Sequence, residues 1–386
     1  MRTLRLEDAL EELIDHRGKT PRKLGSEFID EGVPVASAIL VRDGRLVLDE
    51  ARYVSEDVFE RWMSVPLRSG DVILTSEAPL GRVARVVTDA PLVLGQRLFG
   101  LRGRKDVLDS GYLYYALQTH RVQADLIGRA TGTTVVGIRQ SALRQLEVPA
   151  PAYPQQVAIA EVLGALDDKI EANRKLAATA DELCAAIVRE SQDSNRAERL
   201  GDVAEIVMGS SPPGKTMNED GEGVPFYQGV RDFGLRFPTR RVWTTAPTRT
   251  AHGGDILVSV RAPVGTVNYA PETLCIGRGL AAVRSRTDQQ STLFHLLRSV
   301  RRAWAEYDSG GTVFGSINRD QLHNIEIPAI RSDAVARCEA EVHSVEQRLA
   351  SALRENESLA VLRDSVLPKL MSGQLRVAEA MEVVAL

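Results

Sequence analysis

Two long stretches of this chain repeat apolar or small residues at alternating steps of four and three. This spacing makes a narrow heptad stripe, typical of a coiled coil, rather than the broad apolar face of a bundle helix. Each stripe includes one asparagine, which at a core position would fix the register at some cost in stability. We therefore predict two long helices that are each other's partners; two unrelated amphipathic helices are the alternative. The stripe residues are Ile159, Leu163, Leu166, Ile170, Asn173, Ala177, Ala180, Cys184 and Ile187, then Val335, Cys338, Val342, Val345, Leu349, Ala352, Asn356, Leu359, Arg363, Val366 and Leu370.

The chain also repeats itself at an offset near 180 residues. GDVILTSEAPLGRVARV (70–86) returns as GDILVSVRAPVGTVNYA (254–270), and GTTVVGIRQSALRQLEVPA (132–150) returns as GTVFGSINRDQLHNIEIPA (311–329). Each of the latter blocks leads into one of the heptad helices. This period is too long for a solenoid unit, so it indicates a duplicated domain, each copy followed by a helix.

Each copy mixes helix and strand, which predicts an α+β fold. Short apolar runs separated by Gly and Pro are typical of a sheet of short strands: VILT (72–75), RVARVV (82–87), DILVSV (255–260) and AAVRS (281–285). Helical spacing is found at 109–126 and 288–307, LEDALEELI (6–14) is helix-like, and LGDVAEIVMG (200–209) fits helix or strand. The predicted order is a domain over 1–150, a helix over 151–195, a domain over 196–330, a helix over 331–375 and a tail over 376–386.

The charge balance argues against a strongly basic nucleic-acid binder. The net charge is −4, but residues 1–150 are neutral overall and residues 201–330 carry +1. These parts use arginine far more than lysine, which suits recognition of phosphate and guanine and is equally expected from genome composition. There is no run of eighteen apolar residues and no secretory signal at the start. Three distant cysteines indicate reduced thiols in a cytoplasmic protein.

Motifs for catalysis are weak or incomplete. GSSPPGKT (209–216) fits the phosphate-loop pattern, but Gly and Pro follow where a helix should begin, and two prolines remove N–H donors from the loop. GRGLAA (277–282) resembles a dinucleotide fingerprint but lacks a suitably placed acid. The histidines show no metal-ligand spacing. Asp167 and Asp168 are predicted to lie on a solvated helix face. The sequence predicts neither catalytic nor metal-binding residues.

The repeat and the helices together resemble the specificity subunits of Type I restriction-modification enzymes, over essentially the whole chain. PAPAYPQQVAIAEVLGALDDKIEANRKL (149–176) is similar to the central conserved helix of that family, and LRDSVLPKLMSGQLRV (362–377) to its closing helix. SGDVILT and GGDILVS, each followed by a glycine (Gly81 and Gly265), are similar to its target-recognition domains. One departure concerns the Glu-Gln pair that usually follows the prolines before each helix. Here Gln155-Gln156 replaces the first pair, and PAIRSDAVA (328–336) lacks the second.

The resemblance implies two homologous target-recognition domains of mixed sheet and helix, separated by two long helices that form an antiparallel coiled coil. Each domain would read one half of an interrupted site in double-stranded DNA. The helices would dock two methyltransferase subunits, and restriction subunits join some complexes of this family. The chain itself would have no cofactor, because S-adenosylmethionine and ATP would bind to the partner subunits.

Candidate base-contacting residues are polar or basic and lie in loops between framework strands, where a solvated surface residue is the plain alternative for each. The other functions that the sequence leaves open are a coiled-coil protein-interaction scaffold and a phosphate-loop nucleotide-binding protein. The candidates are Lys19, Thr20, Arg22, Lys23, Gln96, Arg97, Thr133, Thr134 and Arg139 in the first domain, and Ser210, Ser211, Lys215, Gln228, Arg231, Arg261, Arg278, Asn318 and Arg319 in the second.

Overall fold

A computed structural model of the chain describes residues 2–308 and 315–384. The repeat block 311–329 therefore lies partly outside the described residues, as does the end of the tail. The chain divides into two compact units. The first unit is Met1–Glu171 with Asn356–Leu386, and the second is Ala172–Glu355. Each unit thus contains one copy of the repeat and one part of each heptad stripe.

Two helices are far longer than the others, and they coincide with the heptad stripes, which confirms the predicted long helices. Pro154 stands in the first turn of the first of these, where its missing N–H costs nothing. The helices are α1 (Leu6–Ala9), α2 (Glu56–Trp62), α3 (Ser110–Ala116), α4 (His120–Gly128), α5 (Gln140–Arg144), α6 (Tyr153–Ser191), α7 (Leu200–Val203), α8 (Gln290–Ser299), α9 (Arg301–Asp308), α10 (Arg319–His323), α11 (Val335–Ser372) and α12 (Val377–Val384).

The first unit is built on a four-stranded antiparallel sheet of order β2-β10-β7-β8, a three-stranded sheet of order β6-β3-β9, and the pairs β1-β11 and β4-β5. Its strands are β1 (Arg2–Arg5), β2 (Leu10–Ile14), β3 (Val33–Ala36), β4 (Val41–Arg42), β5 (Arg45–Leu46), β6 (Arg52–Val54), β7 (Val72–Thr75), β8 (Val83–Arg85), β9 (Val93–Leu94), β10 (Leu98–Gly103) and β11 (Glu147–Ala150).

The second unit repeats this frame, with a four-stranded sheet of order β13-β21-β18-β19, a five-stranded sheet of order β14-β16-β15-β20-β17, and the pair β12-β22. Its strands are β12 (Gln192–Arg199), β13 (Ala204–Met208), β14 (Met217–Asn218), β15 (Val224–Tyr227), β16 (Trp243–Thr244), β17 (Thr250–Ala251), β18 (Ile256–Ser259), β19 (Val267–Tyr269), β20 (Leu274–Ile276), β21 (Leu280–Ser285) and β22 (Glu326–Ile330).

The matching sequence blocks explain why the two sheets share one order. In each copy an aspartate directly before β7 or β18 accepts two hydrogen bonds from an arginine. Arg102 donates to Asp71 at 2.8 and 2.7 Å, and Arg284 donates to Asp255 at 2.7 and 2.9 Å. The turn that follows contains Gly81, whose φ is +88° and which matches a glycine of similar φ in the other copy. A side chain is disfavoured at this φ, so the glycine fixes the turn. The prediction of an α+β fold that contains a duplicated domain of mixed sheet and helix is confirmed.

The two long helices contact each other within each unit. In the first unit Leu163 of α6 and Val366 of α11 belong to one apolar core. In the second unit Ala177 of α6 packs with Leu349 of α11, and Cys184 lies 3.9 Å from the Val342 carbonyl oxygen. Later residues of α6 therefore meet earlier residues of α11, so the paired segments run in opposite directions.

Two local predictions were wrong. The helix expected over 6–14 ends at Ala9, because Leu10–Ile14 pairs with β10 as strand β2. Leu10 and Ile14 are buried, so sheet pairing and burial outweigh the local helix preference. Asp167 does not face solvent: it accepts hydrogen bonds from Tyr115 at 2.7 Å and Arg363 at 2.8 Å. That contact also explains why a stripe position is occupied by arginine.

The region expected to be a short tail contains α12, whose Ala380 is buried in the first unit's core. Position 200–209, which fitted helix or strand, is both: α7 is followed directly by β13. None of the helices within 2–308 and 315–384 has both the length and the apolar character that a bilayer-crossing helix needs.

Candidate nucleic-acid interface

One end of the first unit's four-stranded sheet gathers polar loop residues from distant parts of the sequence. The carboxyl ends of β2 and β7 meet the amino end of β10 there, and the backbone N–H of Ser76 donates to the carbonyl of Arg97 at 2.8 Å. The N–H of Ile138 in turn donates to the carbonyl of Ser76 at 2.9 Å. We call residues 15–18, 76–77, 96–97 and 137–139 the first rim.

Charged side chains of the first rim are ordered by contacts with one another. Arg17 is held by Asp15 through its Nε and Nη2 atoms at 2.9 and 2.8 Å, and its guanidinium lies 4.1 Å from the Phe99 ring centre. The Nε atom of Arg97 lies 3.0 Å from a carboxylate oxygen of Glu77. The side chain of Arg97 is 53% exposed and that of Arg17 is 30% exposed. They form the sides of a shallow groove that can admit a ligand.

The second unit repeats this arrangement with different side chains. The N–H of Val260 donates to Gly279 at 2.9 Å, and the N–H of Ile317 donates to Val260 at 3.0 Å, which are the two bonds found in the first rim. We call residues 209–211, 260–261, 277–279 and 316–318 the second rim. From this rim the Ser211 hydroxyl donates to the side-chain oxygen of Gln228, which lies outside it, at 2.8 Å.

The two shared backbone bonds show which residues of the rims correspond, because Ser76 and Val260 occupy the same place in both pairs of bonds. Glu77 corresponds to Arg261, Gln96 to Arg278, and Arg97 to Gly279. The first rim thus combines a carboxylate, an amide and one guanidinium at these places, whereas the second has two guanidinium groups. The frame is common to both units, and the side chains offered at its end are not.

The structure gathers some of the sequence-predicted residues and leaves others apart. Those that belong to the rims are Gln96, Arg97, Arg139, Ser210, Ser211, Arg261, Arg278 and Asn318. Asn318 is partly committed, because its side chain accepts from Gln321 and caps α10. The candidates that lie outside the rims as defined are Lys19, Thr20, Arg22, Lys23, Thr133, Thr134, Lys215, Gln228, Arg231 and Arg319.

Two of these candidates make contacts that tie them to the protein. The Lys19 ammonium donates to the Trp62 carbonyl at 2.6 Å, and that of Lys23 donates to the Gly18 carbonyl at 2.6 Å. Lys215 is exposed in a 3-10 turn, Gly214–Thr216. The short strand β14 follows this turn directly. The phosphate-loop pattern therefore lacks the helix amino terminus that would bind phosphate.

Sequence reasoning missed Arg17 and Glu77, both of which lie on the first rim. Glu77 had an available signal, because the repeat pairs it with Arg261, which was selected. A carboxylate was passed over in a search for basic and polar groups. Arg17 had no comparable signal, because its place at the rim depends on the strand β2 that was predicted as helix.

A second polar cluster is buried in the second unit, away from the rim. Arg236 has 0% exposed side chain and donates to both carboxylate oxygens of Glu346, with distances from 2.9 to 3.1 Å. It also donates to Asp181, which accepts a further bond from Arg298 at 2.9 Å. The His295 ring lies 2.7 Å from Glu346. The cluster attaches the domain to both long helices.

The electrostatics of this cluster follow from burial and pairing. Burial opposes ionisation of Asp181, but hydrogen bonds from Arg298 and Arg236 outweigh it and lower its pKa to about 2. Burial likewise opposes ionisation of Glu346, and bonds from His295 and Arg236 lower its pKa. Cys184, His295 and Glu346 come within 4.8 Å of one another, a grouping that could hold a metal ion. The Arg236 guanidinium already supplies the positive charge at that carboxylate, so this is an ion-pair cluster.

Comparison with known proteins agrees with the repeated frame. The family described as Type I restriction modification DNA specificity domain matches residues 3–180 and 196–329. One relative is the putative type I restriction enzyme MjaX specificity subunit of Methanocaldococcus jannaschii. It is 29% identical over 376 residues, which cover 90% of this chain and 88% of the relative. The MjaIX specificity subunit of the same organism is 23% identical over 350 residues, covering 80% and 78%.

A solved structure shares the fold. The S subunit of a Type-I restriction-modification system from M. genitalium aligns with a TM-score of 0.63 at 19% identity, covering 96% of this chain and 95% of that chain. At this identity the likeness concerns the fold alone.

Proposed function

Because this chain belongs to the Type I restriction-modification DNA specificity family, we propose that its two repeats read the two unlike halves of an interrupted DNA site. The chain is a DNA sequence-specificity subunit, and it is a non-catalytic one. Methylation of adenine is the work of the complex, and so is ATP-dependent cleavage where restriction subunits are present. The complex acts on DNA in the cytoplasm.

The observation that carries this proposal is the pair of matched rims with unmatched side chains. A common backbone lets both domains approach DNA in the same way, and different side chains let each select different bases. Arginine and glutamine recognise base edges, whereas contacts to phosphate position the protein without selecting a sequence. An asymmetric target follows, and recovery of a palindromic target would contradict it.

The base-reading groups proposed here are those of the two rims and of the loops beside them. Each of the eighteen sequence-predicted residues keeps this proposed role. Charge-preserving substitutions separate the two kinds of contact, since replacing arginine by lysine keeps attraction to phosphate but loses the planar fork that fits guanine. A residue that contacts only phosphate would weaken binding to all sequences alike.

We propose further that α6 and α11 form one continuous antiparallel coiled coil that sets the distance between half-sites. This is supported by the antiparallel contacts within each unit and by the buried Asn173, whose amide donates to Glu355 at 2.8 Å. Asn356 donates to the Ile170 carbonyl at 3.1 Å. Both asparagines are proposed to fix the register. A helix of this length rises roughly 58 Å, which exceeds one DNA turn of about 34–36 Å.

Removing one heptad from each helix tests the spacing role. Residues 172–178 and 349–355 face each other, so their joint deletion preserves the stripe. Seven residues rise about 10 Å, which equals about three base pairs of DNA at 3.4 Å each. The variant is expected to recognise both half-sites with a spacer shorter by about three base pairs. An unchanged spacer would contradict the proposal that the coiled coil sets the distance between the half-sites.

Two methyltransferase subunits are proposed to dock on the outer faces of the helices. Leu176 and Leu183 of α6 stand seven residues apart, on one face, and are 52% and 49% exposed. Replacing both by glutamate is expected to abolish copurification of the methyltransferase. Glutamate at Val87, an exposed apolar residue outside the helices, is the control and should leave copurification intact.

The deciding experiment is a genome-wide map of methylated adenines in the host with and without this gene. Loss of methylation at one interrupted, asymmetric motif would support the proposal and would give both half-sites and the spacer. Unchanged methylation in a strain shown to contain the assembled complex would contradict it.

A further inference from the structure

Each rim has a corner built in the same way. It lies where two strand ends of the four-stranded sheet are joined by a backbone hydrogen bond, from Ser76 to Arg97 in the first unit and from Val260 to Gly279 in the second. In the first unit this corner holds Glu77 and Arg97. In the second unit the matched residues are Arg261 and Gly279. An arginine is therefore present at both corners, but it is supplied by opposite members of the same pair of positions.

We propose that each corner arginine, Arg97 in the first domain and Arg261 in the second, reads one guanine of its half-site, and that Glu77 is the residue that positions Arg97. This inference rests on the proposed function, because it names residues for the recognition step that the function requires. From the sequence alone both arginines belong to a long set of candidates, and Glu77 is not among them.

The contact between Glu77 and Arg97 leaves the two terminal nitrogens of the guanidinium available for a ligand. Glu77 contacts the Nε atom at 3.0 Å, on the side of the group nearest the backbone. The two terminal nitrogens have no side-chain or backbone partner among residues 2–308 and 315–384. A pair of terminal nitrogens is the fork that fits O6 and N7 of guanine. A carboxylate on Nε restricts the side chain without using that fork.

The backbone of Arg97 gives an independent reason to assign it a function. Its φ is +66°, in the left-handed region that side chains other than glycine or asparagine rarely adopt. The matched residue of the second domain, Gly279, does not have a positive φ, so this backbone conformation belongs to the first corner. A long side chain retained at such a place is typical of a functional site rather than of a solvated loop.

The second corner reaches the same chemistry by another route. Arg261 takes the position of Glu77, and Gly279 has no side chain to compete for the space. Arg261 is exposed, and its strand is fixed by a bridge to Ser316. No carboxylate within the described residues contacts its guanidinium. Arg97 precedes β10, which matches β21, and Arg261 follows β18, which matches β7, so the two arginines start from adjacent strands of the common frame.

The test uses the complete complex of this chain with its methyltransferase subunits and DNA duplexes containing the mapped site. Each guanine in turn is replaced by 7-deazaguanine, which lacks the N7 acceptor, and binding is measured by competition. With the wild-type chain, one replacement in each half-site should weaken binding roughly tenfold to a hundredfold. Arg97→Lys should reduce this sensitivity in one half-site only, and Arg261→Lys in the other half-site only, because an ammonium group lacks the fixed planar fork of the guanidinium.

Matched controls come from the neighbouring strands β7 and β21, at the ends that lie away from the corners. Arg68 precedes β7 and Arg286 follows β21, so both are exposed arginines of the central sheet away from the rim. Arg68→Lys and Arg286→Lys should leave the pattern of sensitive guanines unchanged. Arg97→Asn keeps a residue that tolerates the left-handed backbone, so a loss of recognition with an unchanged melting temperature would exclude unfolding as the cause.

The positioning role of Glu77 has its own readout. Glu77→Gln should reduce discrimination at the guanine assigned to Arg97 and at no other, and it should have no further effect in an Arg97→Lys background. A uniform loss of affinity for all duplexes, or an unaltered guanine pattern in Arg97→Lys and Arg261→Lys, would overturn this inference. Either result would leave the proposed function standing, because the wild-type complex would still select its site.

Discussion

The two units hold their parts of the long helices by different means, although their sheets follow one plan. In the first unit Arg45 pairs with Glu171 at 2.9 Å, and both side chains are more than a third exposed. In the second unit Arg236 connects the domain to the long helices, and it is fully buried between Glu346 of α11 and Asp181 of α6. The shared frame is kept by apolar packing and backbone bonds, whereas attachments and rims diverge. The sheet frame is thus common to both units, whereas the attachments to the long helices and the side chains at the rims differ.

The largest expected effect is the loss of Arg236. Arg236→Ala leaves two carboxylates near the helices without their buried partner, which typically costs about 3–5 kcal/mol of stability. The corresponding change in the first unit, Arg45→Ala, removes an exposed pair worth at most about 1 kcal/mol. Unfolding of the full chain in urea, with hydrogen exchange to locate the change, measures both.

The position of the amides that exchange faster in Arg236→Ala tests whether Arg236 stabilises its own unit. Faster exchange in Arg236→Ala should be confined to the second unit. Equal losses of stability for the two variants would mean that the units are attached equally strongly, and that burial of Arg236 does not distinguish them.

The second prediction concerns acid. The pKa of Asp181 is lowered to about 2 from an ordinary value of 3.8, so its ionised form stabilises the folded chain. That contribution is complete above about pH 4 and is lost as the pH falls toward 2, and a shift of this size is worth about 2 kcal/mol. Asp181→Asn should therefore be less stable than the wild type at neutral pH and should show a shallower loss between pH 4 and pH 2.

Asp364 provides the matched control for this titration. It directly follows a stripe residue of α11, as Asp181 does in α6, and its side chain is 65% exposed. Asp364→Asn should retain the wild-type slope. The same slope in both variants would show that Asp181 is not the titrating group.

Gln156 and Glu339 allow a third test, because they act alike in the two units. Gln156 is fully buried and accepts from the Asp109 N–H at 3.0 Å, at the start of α3. Glu339 accepts from the N–H groups of Ser291 and Thr292 at 3.1 and 2.8 Å, at the start of α8. Each residue thus satisfies N–H groups that a helix start leaves without partners.

Replacing either residue by alanine should cost about 1–3 kcal/mol, because buried N–H groups lose their acceptors. Glu339→Gln should be nearly neutral, since glutamine performs the same task in the first unit. Melting temperatures of the full chain measure these changes. A large loss in Glu339→Gln with a small loss in Gln156→Ala would show that the two positions are not equivalent.

These two residues also illustrate what the sequence could and could not predict. The repeat and the heptad spacing were sufficient for the two copies of the domain and for the long helices, because both are periodic signals. The absence of a second Glu-Gln pair was interpreted as a departure from the family. The structure places Glu339 in the role of Gln156, which becomes visible only when α8 is brought against α11.

The site was less predictable than the frame for a similar reason. Arg97 and Arg261 were selected as loop residues, but their place at equivalent corners depends on strand pairing across many residues. Glu77 was missed because a carboxylate is not expected among groups that approach DNA, and its contact with Arg97 is a tertiary one. Arg236 carried no sequence signal at all, since its partners lie 55 and 110 residues away in sequence.

The smallest expected effect separates the two stripe asparagines. Asn173 is 5% exposed and its amide donates to Glu355, whereas Asn356 is only half-buried. A polar residue at a core position lowers stability in exchange for a defined register. Asn173→Leu should therefore stabilise the full chain by up to about 1 kcal/mol, and Asn356→Leu by less, because less of its surface is removed from water. Urea unfolding measures both gains. A loss of stability in Asn173→Leu would mean that the bond to Glu355 outweighs the apolar contact, and that the asparagine is retained for stability instead of register.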